Sequence, residues 1–333
     1  QQLESYGLIK ERDFRILDES IEENVSLQII QEVIEEITLD EDEQEIEMIV
    51  RSKEEYEAIA ERYKATIIYE NNLDKIYSRL PHRAGIYRGY CAACEKEVMF
   101  QLDDFFEFAG KPAWRESAVC PYCRCNSRMR YVIDRTLRVP EIRKGKVYIY
   151  EKVTNTYKAL SKQVELIGSE YLGDDKISGC YYDGVMHQDA LNLSFESESM
   201  SLLISNDVFE HVSDSKKAFA EAYRVLKKGG KLLFTVPIFK LREKTEVCAN
   251  ICDGEVVHVK PPSYHGNPLS SEGSLVFSEY SWDILNILRE VGFEDAYFIV
   301  YFSSKFNVFL VCLKRITIFA EISKQFTIRI IPL

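Results

Sequence analysis

The chain has 333 residues and a formal net charge of −12, and 46% of its residues are hydrophobic. This length and composition are those of a globular protein with more than one domain. No apolar run reaches the roughly 18 residues that a membrane-spanning helix needs, and residues 1–10 lack the apolar core of a signal peptide. We therefore expect a cytoplasmic protein that does not span a membrane.

The negative charge lies in the N-terminal segment, which we delimit as residues 1–80. Residues 1–70 hold 21 acidic and 7 basic side chains, so the remaining 33 acidic and 35 basic side chains nearly balance. Apolar side chains recur at a helical spacing over residues 20–38, and a second helix is predicted to begin near Ser52. Such an acidic helical segment disfavours attraction to nucleic acid or anionic membranes. We expect it to face solvent, the rest of the chain or a protein partner.

Four of the nine cysteines form two Cys-x-x-Cys pairs. Cys91 and Cys94 make the first pair, and Cys120 and Cys123 make the second. Two such pairs present thiolates at the corners of a tetrahedron, which is the arrangement that structural Zn²⁺ prefers. The spacing predicts a small zinc module that depends on the metal for folding. Cys125 is an alternative to Cys123 as the fourth ligand.

The surroundings of this module, which we place at residues 81–140, leave two alternatives open. An odd cysteine count argues against a disulfide framework and for a reducing compartment, where the four thiols can also remain free. The run from Cys120 to Lys146 holds eight basic and two acidic residues. Zinc ribbons with such arginines can bind nucleic acid. One basic run in an acidic chain is weak evidence, and we do not expect nucleic acid as a partner.

Strands and helices alternate from Lys146 onward, which is typical of a doubly wound, mostly parallel α/β sheet. The last two β-rich runs are separated by a short turn and predict an antiparallel hairpin at the sheet edge. The predicted strands are 147–150, 164–168, 184–187, 200–205, 231–236, 296–302 and 306–313, and the clearest helices are 213–228 and 282–291.

The most informative stretch is residues 200–237, where a buried strand is followed by a polar cluster. Ligands of open α/β sheets bind beyond the carboxyl ends of the strands. The run from Asp207 to Val212 contains a Glu-His-Val step, and residues 224–230 read Arg-Val-Leu-Lys-Lys-Gly-Gly. This combination resembles the fourth-strand region of class I S-adenosylmethionine-dependent methyltransferases. The resemblance implies a seven-stranded Rossmann-like sheet over residues 141–316, a tail at 317–333, S-adenosyl-L-methionine as cofactor and methyl transfer as the reaction.

The resemblance also implies where the cofactor binds. Glu170, after the second strand, is placed to accept the ribose hydroxyls, and Tyr171 or Leu172 to pack on the adenine. Asp189 and Ala190 match the segment that meets the adenine amino group. The complete set of cofactor-binding candidates is Tyr150, Glu151, Thr154, Glu170, Tyr171, Asp189, Ala190, Ser205 and Asn206.

The first turn after the predicted first strand departs from the family pattern. The family has a glycine-rich turn here, whereas residues 150–156 of this chain contain no glycine. The turn must therefore be built differently. Glu151 stands where the family often has an acidic residue and is a candidate to meet the ammonium group of the cofactor. The same departure keeps open a non-catalytic module that only binds.

Methyl transfer from a sulfonium depends largely on positioning, because the leaving group is already good. A base is needed only where the acceptor must lose a proton. His211 and Asp207 are the candidate catalytic residues, and a structural role in the loop after strand four is an equal alternative for both. The resemblance leaves the acceptor open, and we expect a small molecule or a glycan.

An insertion at residues 240–280 is predicted to carry acceptor specificity, since long loops often hold function. Within it, Cys248, Cys252, His258 and His265 are capable metal ligands, but their spacing fits no standard pattern. The remaining alternative for the whole chain is a zinc-ribbon methyltransferase that modifies nucleic acid.

Overall fold

The structure is a computed structural model, and it describes residues 14–16, 45–62, 85–102, 107–108, 111–112, 116–303 and 316–323. The chain divides into two compact units. The first comprises residues 1–48, 54–135 and 300–313, and the second comprises residues 49–53, 136–299 and 314–333. No helix within the described ranges has the length and apolar character needed to cross a bilayer.

The described residues form five helices and twenty strands. The helices are α1 (Lys53–Arg62), α2 (Ser127–Arg138), α3 (Asn155–Leu160), α4 (Ser215–Val225) and α5 (Ile284–Glu290). The strands of the first half are β1 (Phe14–Ile16), β2 (Glu45–Val50), β3 (Gly85–Cys91), β4 (Lys96–Leu102), β5 (Glu107–Phe108), β6 (Lys111–Pro112), β7 (Lys146–Ile149), β8 (Ile167–Gly168), β9 (Tyr181–Tyr182) and β10 (Val185–Met186). Those of the second half are β11 (Met200–Asn206), β12 (Leu226–Ile238), β13 (Glu246–Val247), β14 (Ala249–Cys252), β15 (Glu255–His258), β16 (Tyr264–Asn267), β17 (Ser270–Leu275), β18 (Ser278–Glu279), β19 (Asp295–Ser303) and β20 (Ile316–Ser323).

The main sheet has seven strands in the order β2-β19-β20-β12-β11-β7-β8. β11 runs parallel to both β7 and β12, and β8 runs parallel to β7. β20 is antiparallel to both of its neighbours, β12 and β19. The predicted mostly parallel α/β sheet is therefore confirmed, and its antiparallel strand β20 lies inside the sheet.

The membership of the sheet differs from the prediction at three places. β2, from the acidic N-terminal segment, supplies an edge strand that the sequence did not indicate. The predicted strand at 184–187 forms a hairpin of β9 and β10, and only a single parallel bridge joins His187 to Glu170. The antiparallel strand is residues 316–323, which crosses the predicted boundary between domain and tail. The predicted strand at 306–313 and the predicted helix at 20–38 lie outside the described residues.

The core of the second unit forms because apolar residues fill both faces of the central strands. Every residue of β11 is buried. α4 buries Ala218, Phe219, Ala222 and Val225, which recur at the spacing of one helix face. Asp214 caps the helix by accepting a hydrogen bond from the Lys217 amide at 3.0 Å.

The end of α4 corrects a prediction. The sequence predicted a helix to residue 228, closed by two glycines, but the helix ends at Val225 and Leu226 is already extended. Leu226 pairs with Met200, and the register then shifts so that Leu202 pairs with Lys231. The glycines therefore lie in an irregularity of β12. The prediction for α5 holds, since Gly292 adopts a φ of +115° just beyond its end.

Candidate active site and candidate metal centre

The carboxyl ends of β7 and β11 lie side by side. Between these two strands the order in which successive strands are added to the sheet changes direction. From β7 the chain continues to β8 on one side, whereas β11 lies on the other side. Such a switch point is where open α/β sheets bind ligands. Glu151 follows β7 and Asn206 ends β11, and both are buried. The Asn206 side-chain amide donates to Glu151 Oε1 at 2.7 Å, so the two candidates face each other across the switch point.

Two polar atoms at this edge lack a protein partner. Asn206 Oδ1 and Ser205 Oγ are buried and make no hydrogen bond within the described part of the chain. Buried polar groups are almost always hydrogen-bonded. A ligand that carries N–H or O–H groups would satisfy them. Asn206 Oδ1, on the side chain that contacts Glu151, is the structural evidence that a polar cofactor fits the predicted position.

The glycine-free first turn is held by a side chain from the neighbouring strand. Glu170 Oε1 accepts hydrogen bonds from the amides of Lys152 and Val153 at 2.6 and 2.7 Å. Burial raises the pKa of Glu170, although these two amides oppose the rise. Thr154 Oγ1 then accepts from the Tyr157 amide at 3.3 Å and caps α3. Glu170 therefore anchors the turn through one oxygen, and its other oxygen has no recorded partner among the described residues.

The side chain of Tyr150 packs in the core and does not face the switch point. Its ring is buried, with centroids 4.8 Å from Tyr148 and 5.5 Å from Phe209. Its amide donates to the Ile204 carbonyl at 3.0 Å, which continues the sheet beyond β7. Only the backbone of Tyr150 is placed to border a ligand.

The adenine candidates lie beside the bridge between Glu170 and His187. Tyr171 is exposed, and its hydroxyl donates to Asp174. Asp189 Oδ1 accepts from the Leu191 amide at 2.8 Å and so stabilises its own turn. Ala190 is buried next to it.

His187 is a residue of this region that the sequence did not single out. It is buried, and its Nδ1 accepts a hydrogen bond from the Leu172 amide at 3.0 Å. Its ring centroid lies 5.5 Å from that of Tyr171. Its only sequence signal was its position at the end of a predicted strand. His187 therefore supports the segment that carries Tyr171.

The structure predicts a pH dependence from this histidine. Burial lowers the pKa of His187 below its usual value of 6.5, so the unfolded chain takes up a proton before the folded chain does. The stability that neutral His187 supports is complete above pH 6.5 and declines as the pH falls below that value, by at most about 1.4 kcal/mol per pH unit. Urea unfolding of the unchanged protein and His187→Asn across this range measures the effect. A variant with the same pH slope would contradict it, and His258→Ala, which changes an exposed histidine, is the control.

Asp207 joins the ends of β11 and β12. Its Oδ1 accepts from the Thr235 hydroxyl at 2.8 Å, and its amide donates to the Thr235 carbonyl at 2.9 Å. Its φ of +50° is in the left-handed region, which aspartate tolerates better than most residues. These contacts favour the structural alternative for Asp207 over the catalytic one.

His211 has one ring nitrogen engaged and one available. Nδ1 lies 2.8 Å from the Leu275 carbonyl oxygen, and a carbonyl only accepts, so Nδ1 carries the proton. Nε2 of the neutral ring then presents a lone pair, 3.8 Å from Glu210 Oε1. His265 lies next to this pair, with its ring centroid 5.0 Å from that of His211. The suggested grouping of His265 with Cys248, Cys252 and His258 is not what the described residues form.

The four predicted zinc ligands converge in the first unit. Their Sγ atoms all lie within 4.8 Å of one another. The Sγ atoms of Cys91 and Cys123 are 3.8 Å apart, and those of Cys94 and Cys120 are 3.9 Å apart. Zn²⁺ with Zn–S bonds of about 2.3 Å separates tetrahedral sulfurs by about 3.8 Å. The cluster therefore fits zinc, and Cys125 lies outside it, with its Sγ 3.7 Å from the Cys123 carbonyl oxygen.

Two arginines beside the cluster make contacts within the first unit. Arg130 is buried, stacks 3.9 Å from the centroid of Phe100 and donates to the carbonyl of Ala118. Arg128 pairs with Glu116 through two nitrogens, at 2.9 and 3.2 Å. These contacts give the arginines a structural role and do not favour nucleic acid as a partner.

A cavity of about 550 Å³ lies beside β8. Its lining includes Lys146 and Met200, which begin β7 and β11. The candidate cofactor residues follow the opposite ends of these strands, and none of them lines the cavity. We therefore do not assign the cavity to the cofactor.

Comparison with known protein families identifies a similarity to methyltransferases within the main sheet. A family described as methyltransferase domain matches residues 166–234, from the start of β8 into β12. Residues 166–234 are therefore similar to a methyltransferase domain. Over 77 residues it is 36% identical to phosphoethanolamine N-methyltransferase 2 of Caenorhabditis elegans. That match covers 23% of this chain but only 17% of the length of the relative.

Solved methyltransferases resemble the domain at low identity. An S-adenosylmethionine-dependent methyltransferase from Mesorhizobium loti is 14% identical, with 57% of this chain and 97% of that chain covered and a TM-score of 0.33. Phosphoethanolamine N-methyltransferase 2 from Haemonchus contortus, bound to S-adenosyl-L-methionine, is 18% identical, with 51% and 37% covered and a TM-score of 0.31. Both TM-scores are low, so the similarity to methyltransferases rests on the family match over residues 166–234.

Proposed function

We propose that the protein is an S-adenosylmethionine-dependent methyltransferase that acts on a small-molecule or glycan acceptor. The observation that carries the proposal is the buried pair of Glu151 and Asn206 at the switch point, with the unpaired Asn206 Oδ1 and Ser205 Oγ beside it. Asn206 and Ser205 lie within residues 166–234, which match a methyltransferase domain.

The candidate residues divide the cofactor between them. Glu151 and Asn206 would hold the amino acid part, since their carboxylate and amide oxygens accept from an ammonium group. The second oxygen of Glu170 would accept from the ribose, while the first keeps the turn closed. Tyr171 would cover the adenine, and Asp189 would accept from its amino group. When bound, the cofactor supplies an electrophilic methyl group on its sulfonium.

His211 is the residue that we propose as the base. Its Nε2 carries the lone pair, because Nδ1 is committed to the Leu275 carbonyl. An amine acceptor must lose a proton to attack a methyl group, and the Nε2 lone pair of His211 can accept it. The partial likeness to a phosphoethanolamine methyltransferase makes phosphoethanolamine the first amine to test.

We also propose that the four-cysteine cluster binds one structural Zn²⁺. All four ligand positions are filled by cysteines, which leaves no open position for a substrate. The acidic N-terminal segment remains a candidate surface for a protein partner.

Calorimetric titration with S-adenosylmethionine and S-adenosylhomocysteine tests the proposed function. We expect micromolar binding of both ligands to zinc-replete protein. Release of S-adenosylhomocysteine in the presence of phosphoethanolamine, other amines or glycans would then identify the acceptor class. Absence of binding by either ligand would reject the proposal, and binding without turnover on any acceptor would favour the non-catalytic module.

A further inference from the structure

A second group of side chains that can bind a metal lies where the insertion at residues 240–280 meets the turn after β11. Glu210 and His211 belong to a helical turn that follows β11, and His265 lies on β16. One ligand atom from each residue falls within 4.8 Å of the others. Glu210 Oε1 is the centre of the group, 3.8 Å from His211 Nε2 and 3.7 Å from His265 Nδ1.

Glu210 is a buried carboxyl group without a hydrogen bond. Its side chain is 2% exposed, and neither of its oxygens has a hydrogen-bond partner within the described ranges. Distances of 3.7 and 3.8 Å to the two histidines are too long for hydrogen bonds. Burying a carboxylate without a partner is costly, so a positive charge close to Glu210 would stabilise it.

The tautomer of His211 sharpens this requirement. Because Nδ1 donates to the Leu275 carbonyl, the lone pair of Nε2 points toward the carboxylate of Glu210. Two electron-rich atoms that face the same space repel each other, and a cation between them would remove this repulsion. The arrangement is held from the backbone as well, since the Phe277 amide donates to the Glu210 carbonyl at 2.8 Å.

We propose that Glu210, His211 and His265 bind a divalent transition-metal ion. Two imidazole nitrogens and one carboxylate form a ligand set that suits Mn²⁺, Fe²⁺, Co²⁺ or Zn²⁺. Ligand atoms at about 2.1 Å from one ion lie roughly 3.0–3.4 Å apart in octahedral or tetrahedral geometry. The two distances from Glu210 Oε1 require these ligands to close by about 0.3–0.8 Å, which His265, 30% exposed on its hairpin, can accommodate.

Three protein ligands leave at least one position of the ion open. The ion would therefore bind an oxygen or nitrogen of a further molecule next to the end of β11. If the proposed methyl transfer takes place, that molecule is the acceptor, and this part of the inference rests on the proposed function. Because the ion takes the Nε2 lone pair of His211, the ion would then replace His211 as the group that promotes loss of the acceptor's proton. The ion would also join the insertion to the turn that carries His211.

Titration with Mn²⁺ of protein that holds one Zn²⁺ per chain, followed by electron paramagnetic resonance of the free ion, tests the site. Zinc in the cysteine cluster leaves that cluster closed to manganese. We expect one Mn²⁺ per chain, with affinity reduced at least tenfold in Glu210→Gln and in His265→Ala. His258→Ala is the matched control, because His258 is an exposed histidine of the same insertion, and it should bind like the unchanged protein.

Zinc content and thermal unfolding of each variant show whether it is folded. If Glu210→Gln does not fold, His265→Ala alone decides, because His265 is partly exposed. Failure to bind Mn²⁺, Co²⁺ or a second Zn²⁺, or unchanged affinity in folded His265→Ala, overturns the inference. Binding of S-adenosylmethionine is measured on the same samples. Cofactor binding without a second ion rejects the metal site alone, and a second ion without cofactor binding rejects only the proposed function.

Discussion

Cys120→Ser is expected to lose one zinc ion per chain and to unfold the four-cysteine module. The Sγ atoms of the cluster are spaced as tetrahedral zinc requires, and Cys120 is one of its buried members. Structural zinc contributes on the order of 10–16 kcal/mol to the folding of small metal-dependent modules. Metal analysis by mass spectrometry, together with limited proteolysis, measures the loss of the ion and of the fold.

Two other cysteines provide the controls for this prediction. Cys180→Ser changes an exposed cysteine outside the cluster and should keep its zinc. Cys125→Ser should also keep its zinc, because the Cys125 sulfur contacts the Cys123 carbonyl and is not part of the cluster. Zinc retained in Cys120→Ser, or lost in Cys125→Ser, would show that the ligand set is wrong.

Glu170→Ala is expected to weaken binding of S-adenosylmethionine by about 100-fold, which corresponds to about 2.7 kcal/mol. The substitution removes the acceptor of both amides that hold the first turn. Hydrogen bonds to a charged group contribute about 1.5–3 kcal/mol each, so the turn would lose its shape as the ribose loses its partner. Calorimetric titration of the variant measures the change.

Glu165→Ala is the matched control, because Glu165 is an exposed glutamate in the segment that leads into β8. Glu170→Gln should fall between the two, since it keeps an acceptor oxygen but loses the charge. Equal affinity in Glu170→Ala and Glu165→Ala would mean that Glu170 serves neither the turn nor the cofactor.

The sequence predicts the central strands well because strands that are buried on both faces consist of consecutive apolar residues. The run at 200–205 became β11, which is buried throughout. Gly292 marked the end of α5 correctly, since its positive φ is a local requirement. The end of α4 was predicted too late, because pairing of Leu226 with Met200 overrides the helical preference of residues 226–228. β2 was missed because its acidic residues interrupt the apolar pattern of a strand, and because its pairing partner is distant in the sequence.

The candidate site divides in the same way. The four-cysteine cluster was predictable because Cys-x-x-Cys spacing is local and the chemistry of four thiolates is specific. The contact of Glu170 with the first turn was not, because it joins a side chain to backbone amides that any sequence would provide. His265 reaches Glu210 only through the packing of the β16–β17 hairpin, which no spacing along the chain reveals.

β20 is synthesised after the strands between which it lies. It is the last described strand in chain order, yet it lies between β12 and β19 inside the sheet. A ribosome that adds about 5–20 residues per second would have completed β12 and β19 before residues 316–323 emerge. Until then both strands present unpaired edges, which are sites of aggregation. A nascent chain halted before Ile316 is therefore expected to need a chaperone to protect the open centre of its sheet.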